Sequence, residues 1–300
     1  MDFILELDKK RQRIDQALLK YMPKCMSSYD KIIYEAMEYS LMAGGKRLRP
    51  ILMLQAFEIC GGNNISDIEA FMVSMEMIHT YSLIHDDLPA MDNDDYRRGK
   101  LTCHKKYGED IGILAGDGLL NTAYEIMIKS CLEEQNNTMV QQKLKALEQI
   151  GNAAGVSGMI GGQVVDVLNN AEMNLDMINY INIHKTSAII EASLISGAIL
   201  ANANIDEVER FRKIGRCLGI AFQIQDDILD IVSTTEELGK QVGSDSKNGK
   251  ATYVALKGLQ ESKLIVDELI SNALDKLQKF NSSKAIFLDE LILHLKDRKK

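Results

Sequence analysis

Proline is scarce, 3 in 300 residues. The Asn-Gly and Asp-Gly pairs that mark tight hairpins are infrequent. Few helix breakers and few hairpin turns leave helix as the favoured element almost throughout. Cysteine is sparse and odd in number: Cys25, Cys60, Cys103, Cys131 and Cys217 are scattered. No CxxC or Cys/His spacing suggests zinc, so these read as free thiols in a reducing, cytoplasmic compartment. Positive charge is in deficit, with a net charge of -8. That argues against nucleic-acid binding, which usually needs a basic face. No stretch reaches about 18 uninterrupted apolar residues, so no membrane span is expected. The opening Met1 to Lys10 mixes both charge signs without an apolar core, so no signal peptide is expected.

What is present is hydrophobic residue at 46% and methionine at 15 copies, enough for a large core. Length alone allows one large domain or two. Apolar residues recur at helical spacing, which predicts helices over about 2–20, 28–43, 50–60, 66–86, 109–134, 138–162, 175–202, 206–231, 250–258, 261–279 and 283–297. The connections are short and polar, as between antiparallel neighbours. Residues 234–249, rich in Gly, Ser, Lys and Asp, read as the longest loop. The expected architecture is all-α: a single domain over 1–300, with long helices around a deep central cavity.

Two acidic clusters stand out, Asp86-Asp87-Leu88-Pro89-Ala90-Met91-Asp92 and Asp226-Asp227-Ile228-Leu229-Asp230. Each closes a long apolar segment, where a buried carboxylate is costly unless a cation meets it. Carboxylates are hard oxygen ligands suited to Mg2+, which also takes water and substrate phosphate oxygens. Asp226 and Asp230 are four apart and share a helix face. Asp86 and Asp92, six apart, would point about 120° apart on an ideal helix. Pro89 is expected to distort that helix and bring Asp92 back towards Asp86. Basic residues needed for a diphosphate lie close by in sequence: Lys46 and Arg49 in Gly44-Gly45-Lys46-Arg47-Leu48-Arg49-Pro50, Arg97 and Arg98 after the first cluster, Lys240 and Lys250 after the second. His79 lies about two helical turns before Asp86. Taken singly, each has an ordinary explanation: a solvated acidic helix end, a solvated basic turn, a hydrogen-bonded core histidine. The repeated order of acidic cluster and basic groups is hard to explain as surface, and suggests metal ions bridging a diphosphate between two helices.

Together with Gly161-Gly162-Gln163, Asp166, Lys185-Thr186 and Gln223, these motifs resemble the trans-isoprenyl diphosphate synthases, the polyprenyl synthetase family. The resemblance runs in motif order from about residue 28 to the C-terminus. It implies head-to-tail condensation of an allylic diphosphate with isopentenyl diphosphate. It also implies Mg2+, three ions per site with Mn2+ as an alternative, held by Asp86, Asp92 and Asp226, with Asp230 and Asp227 completing or orienting the second cluster. By the same resemblance Arg97, Lys185, Lys240 and Lys250 add positive charge at the allylic diphosphate. Lys46, Arg49, His79 and Arg98 hold isopentenyl diphosphate. Lys185 and Thr186 form a helix break whose oxygens face a carbocation, assisted by Gln223. A homodimer is implied by the family alone. One departure is Thr252-Tyr253-Val254, where many relatives have Thr-Tyr-Pro.

The product is argued from volume. Tyr81, five residues before Asp86, would sit deeper along a prenyl tunnel, with the small Ser82 beside it; the resemblance implies that an aromatic here, together with the two-residue insertion in the first acidic motif, goes with a fifteen-carbon product, farnesyl diphosphate. Tyr81 as ordinary core packing remains open. So do two readings of Gly161-Gly162, tight helix packing or close approach to a ligand. Competing functions are a geranylgeranyl diphosphate synthase, a class I terpene cyclase and a subunit of a heteromeric prenyl synthase. The isopentenyl set Lys46, Arg49 and His79 argues against the cyclase, and retention of both acidic clusters argues against the subunit. The terminal Asp297-Arg298-Lys299-Lys300 reads as a frayed tail or as a closure over isopentenyl diphosphate.

Overall fold

The computed structural model describes residues 2–168, 174–232 and 252–298. Their regular secondary structure is helical apart from one two-stranded ribbon. The chain divides into two compact units, residues 1–51 with 64–147, and residues 52–63 with 148–300.

In the first unit, α1 (Phe3–Tyr21), α2 (Lys31–Leu41) and the start of α3 (Leu48–Ile59) precede α4 (Glu69–Asp86). Helix α4 is buried nearly all round, as its almost unbroken apolar sequence requires. It packs on α6 (Glu109–Leu132), with α1 and α2 against it as well. Between α4 and α6 the chain makes a ribbon, β1 (Tyr96–Arg97) and β2 (Lys100–Leu101), and a short α5 (Cys103–Tyr107). Tyr96 pairs with Leu101 and Arg97 with Lys100. The two turn residues, Arg98 and Gly99, both have positive φ, +53° and +75°. That is the pattern of a two-residue hairpin turn that matches strand twist. The ribbon escaped the pattern reading because Arg98-Gly99 replaces the usual Asn-Gly. The unit also takes most of α7 (Asn137–Ala154).

In the second unit, α8 (Met159–Val167), α9 (Leu175–Ile181), α10 (Ala188–Leu200), α11 (Ile205–Val232), α12 (Tyr253–Lys257), α13 (Leu259–Leu277) and α14 (Ala285–Lys296) follow in order. Helix α11 is central: α10 and α13 both pack along it. Two long helices expected from periodicity are interrupted. The one over 138–162 breaks at 155–158, between α7 and α8. The one over 175–202 contains a π-helical turn, Asn182–Ser187, between α9 and α10. Such turns are rare and tend to mark functional sites.

Close packing explains why that turn persists. A methyl on Gly162 of α8 would overlap the main chain of Lys185, and one on Gly219 of α11 would overlap Ser187. The π turn is therefore held between two helices that approach it at glycine. For Gly162 the helix-packing reading is the one observed, and what it packs against is the Lys185-Thr186 break itself. Gly162→Ala is expected to lower stability by about 1–3 kcal/mol, because overpacking exceeds the gain in helix propensity. Gly118→Ala in α6, whose methyl meets only the flexible Met37 side chain, should leave stability unchanged or slightly raised. Urea titration of both variants checks this; equal effects would refute the packing argument.

Candidate functional site

In the first unit the basic turn and the C-terminal half of α4 come together. Gly44, Gly45 and Arg47 have φ of +93°, +131° and +50°, so the chain doubles back before α3. Arg47 does not serve as a ligand. Its side chain is 1% exposed, donating Nε to Asp15 Oδ1 at 2.8 Å, Nη1 to Glu76 Oε1 at 2.9 Å and Nη2 to the Leu41 carbonyl at 2.8 Å. Arg47 thereby pins the turn to α1 and α4. Lys46 is left exposed and Arg49 half-buried. Arg98, at the ribbon tip, donates to the Gly44 carbonyl. Its guanidinium fills the space a side chain at Gly45 would need. The sequence-predicted Lys46, Arg49, His79 and Arg98 all belong to this unit, and arginines press on His79. Its pKa is held well below 6.5, by burial first and then by the positive charges of Arg49, Arg98, Arg97 and Arg47.

The first acidic cluster lies just beyond α4, which ends at Asp86. Pro89 is therefore in a turn and does not kink a helix, a correction to the expectation. Asp92 nevertheless returns towards Asp86: its amide donates to the Asp86 carbonyl at 2.8 Å, across a turn tightened by Met91 and Asn93 donating to Leu88. Asp87, buried, takes no part in this. Arg97 clamps it, Nε donating to both carboxylate oxygens at 2.8 and 2.9 Å and Nη2 to Oδ1 at 2.6 Å. Burial raises the Asp87 pKa and Arg97 opposes that rise. Arg97, expected at the allylic diphosphate, is thus committed to Asp87 in this structure. Tyr81 is buried, edge-on to His85 with ring centres 5.7 Å apart. Burial, then Tyr124 and Asp86, push its hydroxyl up to about 12. Ser82 donates to the His79 carbonyl at 2.9 Å.

In the second unit the π turn presents Lys185 and Thr186. Lys185 Nζ meets Asp166 Oδ2 of α8 at 2.6 Å. Thr186 donates Oγ1 to Gln223 Oε1 at 3.0 Å, and Gln223 Nε2 donates to Asp227 Oδ1 at 3.2 Å. Asp227 is an acceptor only, which fixes the Gln223 amide with nitrogen towards Asp227 and oxygen towards Thr186. The Tyr253 amide donates to the other Asp227 oxygen at 3.0 Å. Asp226, on the same helix, accepts from Arg298 at 2.7 Å, and Asp230 is buried. Lys240 and Lys250 lie outside the described residues.

Among the described residues no three His, Cys, Asp or Glu side chains gather as a ready metal site. The donor chemistry still fits Mg2+. Carboxylates of Asp86 and Asp92 tied by one turn supply hard oxygens, and Mg2+ normally completes its shell with water and substrate phosphate.

The residues missed by pattern reading are Asp15 and Glu76, and for Arg298, read only as part of the terminal tail, its partner Asp226. Glu76 had a signal: it is a carboxylate in the interior of the apolar helix α4, and such a group needs a cation. The pairing of Arg298 with Asp226 had none, because the two are 72 residues apart.

The sequence matches the family model described as Polyprenyl synthetase over residues 30–287. A dimethylallyltranstransferase of Fischerella ambigua is 44% identical, covering 95% of this chain and 80% of its own length. A chloroplastic geranylgeranyl pyrophosphate synthase of Capsicum annuum is 46% identical, covering 85% and 68%. Among solved structures, an FPP/GFPP synthase from Zymomonas mobilis superposes with a TM-score of 0.85 at 31% identity, covering 98% of this chain and 99% of that one. No helix among the described residues is long and apolar enough to cross a membrane.

One consequence concerns pH. Unfolded His79 takes its proton near 6.5 and the folded residue only well below that. Between those values the unfolded chain binds more protons, so stability is full above about pH 6.5 and falls on acidification. Replacing His79 by Gln should flatten the fall in melting temperature between about pH 7 and 5. Parallel melting curves for the two proteins would show that His79 is not held neutral.

Proposed function

This chain belongs to the polyprenyl synthetase family and is a trans-prenyl diphosphate synthase, and from that premise we propose that it condenses dimethylallyl or geranyl diphosphate with isopentenyl diphosphate to make farnesyl diphosphate. The observation that carries the reading is that Arg49, Arg98 and Arg97 all act on His79, two turns along α4 from Asp86, whose carbonyl ties back Asp92. A cluster of cations suits a bare diphosphate; a carboxylate turn suits a metal-bound one.

Asp86, Asp92 and Asp226 would hold the cations, with Asp230 supporting the second cluster. Bound there, Mg2+ supplies Lewis-acid stabilisation of a diphosphate leaving group. Arg97, Lys185, Lys240 and Lys250 would neutralise the remaining charge of the allylic diphosphate. Thr186 has a clear part in this scheme. Its proton is committed to Gln223, so the oxygen lone pairs remain to face a developing positive charge. Gln223 cannot rotate away without losing Asp227. The π turn adds main-chain carbonyls of the same polarity, and no protein nucleophile is needed.

Tyr81 supports the farnesyl product: it is buried in α4 about one and a half turns before Asp86, where a ring limits the length a prenyl tail can reach. The geranylgeranyl reading is favoured by the Capsicum annuum relative, which carries that name at 46% identity. We further propose that residues 1–300 act as one polyprenyl synthetase domain, since the family match takes in parts of both units. In the same reading the enzyme is a cytoplasmic homodimer using three Mg2+ per site, with Mn2+ as a substitute.

Purified chain given Mg2+ and both substrates, with products dephosphorylated and sized, decides the product. Asp86→Ala and Asp226→Ala should each lower turnover about a thousandfold or more while the fold survives. Normal Mg2+-dependent rates in either would remove that cluster from the chemistry. Arg49→Ala should raise KM for isopentenyl diphosphate more than for the allylic partner; the reverse would exchange the two pockets.

Tyr81→Ala should lengthen the product by at least one five-carbon unit, at a stability loss on the order of 3 kcal/mol. An active variant that still stops at farnesyl would return Tyr81 to core packing.

A further inference from the structure

Arg298 follows α14 and is not part of a frayed end: its side chain is 5% exposed. Nη2 donates to the Phe222 carbonyl at 2.8 Å and to Asp226 Oδ1 at 2.7 Å. The guanidinium carbon lies 3.7 Å from the centre of the Phe222 ring. Nε is buried with no hydrogen-bond partner among the described residues. The contrast with Arg47 is informative. Arg47 is equally buried, yet its Nε, Nη1 and Nη2 all have acceptors. Arg47 is a finished structural contact, whereas Arg298 is held largely by one edge and one ring face. Asp226 itself keeps 46% of its side chain exposed.

We propose that Arg298 is a positioning residue that acts as an internal counter-ion to Asp226 and is displaced when a divalent cation takes that carboxylate. The proposal rests on the reading of Asp226 as a metal ligand. Two cations competing for one carboxylate are coupled reciprocally: whatever favours one disfavours the other. The guanidinium keeps Asp226 aimed and neutralised without the metal, and its release ties the segment after α14 to metal loading. Lysine at this position would retain the charge but lose the planar fork and the ring stacking.

The test uses Mn2+ with inorganic pyrophosphate, followed by electron paramagnetic resonance of bound Mn2+. Arg298→Ala should bind the Asp226-dependent Mn2+ about tenfold more tightly, the scale of one charge-assisted hydrogen bond, and Arg298→Lys should fall between. Asp226→Asn should lose one Mn2+. Trypsin supplies a second readout on the unaltered chain, because cleavage after Arg298 requires that side chain to leave its pocket. Cleavage should quicken when Mn2+ joins pyrophosphate, and in Asp226→Asn it should be quick without metal. If Asp226→Asn loses the ion but Arg298→Ala binds no tighter and metal leaves cleavage unchanged, the counter-ion proposal is overturned and the ligand assignment stands. If Asp226→Asn binds as many ions as the wild type, the ligand assignment fails and the proposal falls with it. A purely structural Arg298 would lower the melting temperature without moving Mn2+ affinity.

Discussion

The carboxylate of Glu76 lies in the middle of a buried helix, and a charge in that position is tolerated only with a cation against it. Arg47 supplies that cation, and in doing so it fixes the turn that carries Lys46 and leads into Arg49 at the start of α3. Breaking such a buried pair by removing one partner costs about 3–5 kcal/mol, because the other charge is left uncompensated. The pair therefore couples two things that need not have been connected, the integrity of α4 and the aim of the basic turn. Asp15 adds the link to α1. Positive charge around His79 can be dense because Glu76 and Asp87 lie buried in the same unit, each holding one arginine. Arg47 is held by Glu76 and Arg97 by Asp87, while Lys46 and Arg98 are exposed and Arg49 is half-buried.

The second unit solves a different problem. A π turn spoils the regular hydrogen-bond ladder of a helix, and it persists only where the surroundings favour it over the regular form. Glycines on α8 and α11 let those helices approach the turn at main-chain distance. On its far end Ser187 is tied to Glu191, which Arg216 holds through two hydrogen bonds at 2.9 and 3.3 Å. Thr186 is tied through Gln223 to Asp227 and on to the Tyr253 amide. The oxygens of the turn are thus set by contacts from several helices before any ligand arrives. Preorganised dipoles of this kind stabilise developing charge without reorganising during the reaction.

Much of this was written in the chain. Scarce proline and helical spacing specify an all-helical protein, and the ends of α1, α4, α6 and α11 fall within a few residues of expectation. The acidic clusters, the basic turn and the Lys185-Thr186 pair were legible because each is a local run of unusual residue types. The seven-residue spacing of His79 and Asp86 was legible for the same reason, as a matter of helix geometry. The breaks at 155–158 and 182–187 were not, since glycine and polar residues are tolerated in helices and only neighbouring helices decide whether the ladder gives way.

The sequence by itself determined composition, helical class, motif order and the pool of charged residues from which a site could be made. Which member of each motif stays open to solvent and which is consumed by the fold was decided by tertiary structure. Arg47 and Arg49 are two residues apart in one motif, as Asp86 and Asp87 are adjacent in another. One of each pair is buried against an opposite charge from a distant segment and the other is left more open. That choice depends on desolvation and on which partner lies within hydrogen-bond reach, and both are properties of packed helices that no local run of residues contains.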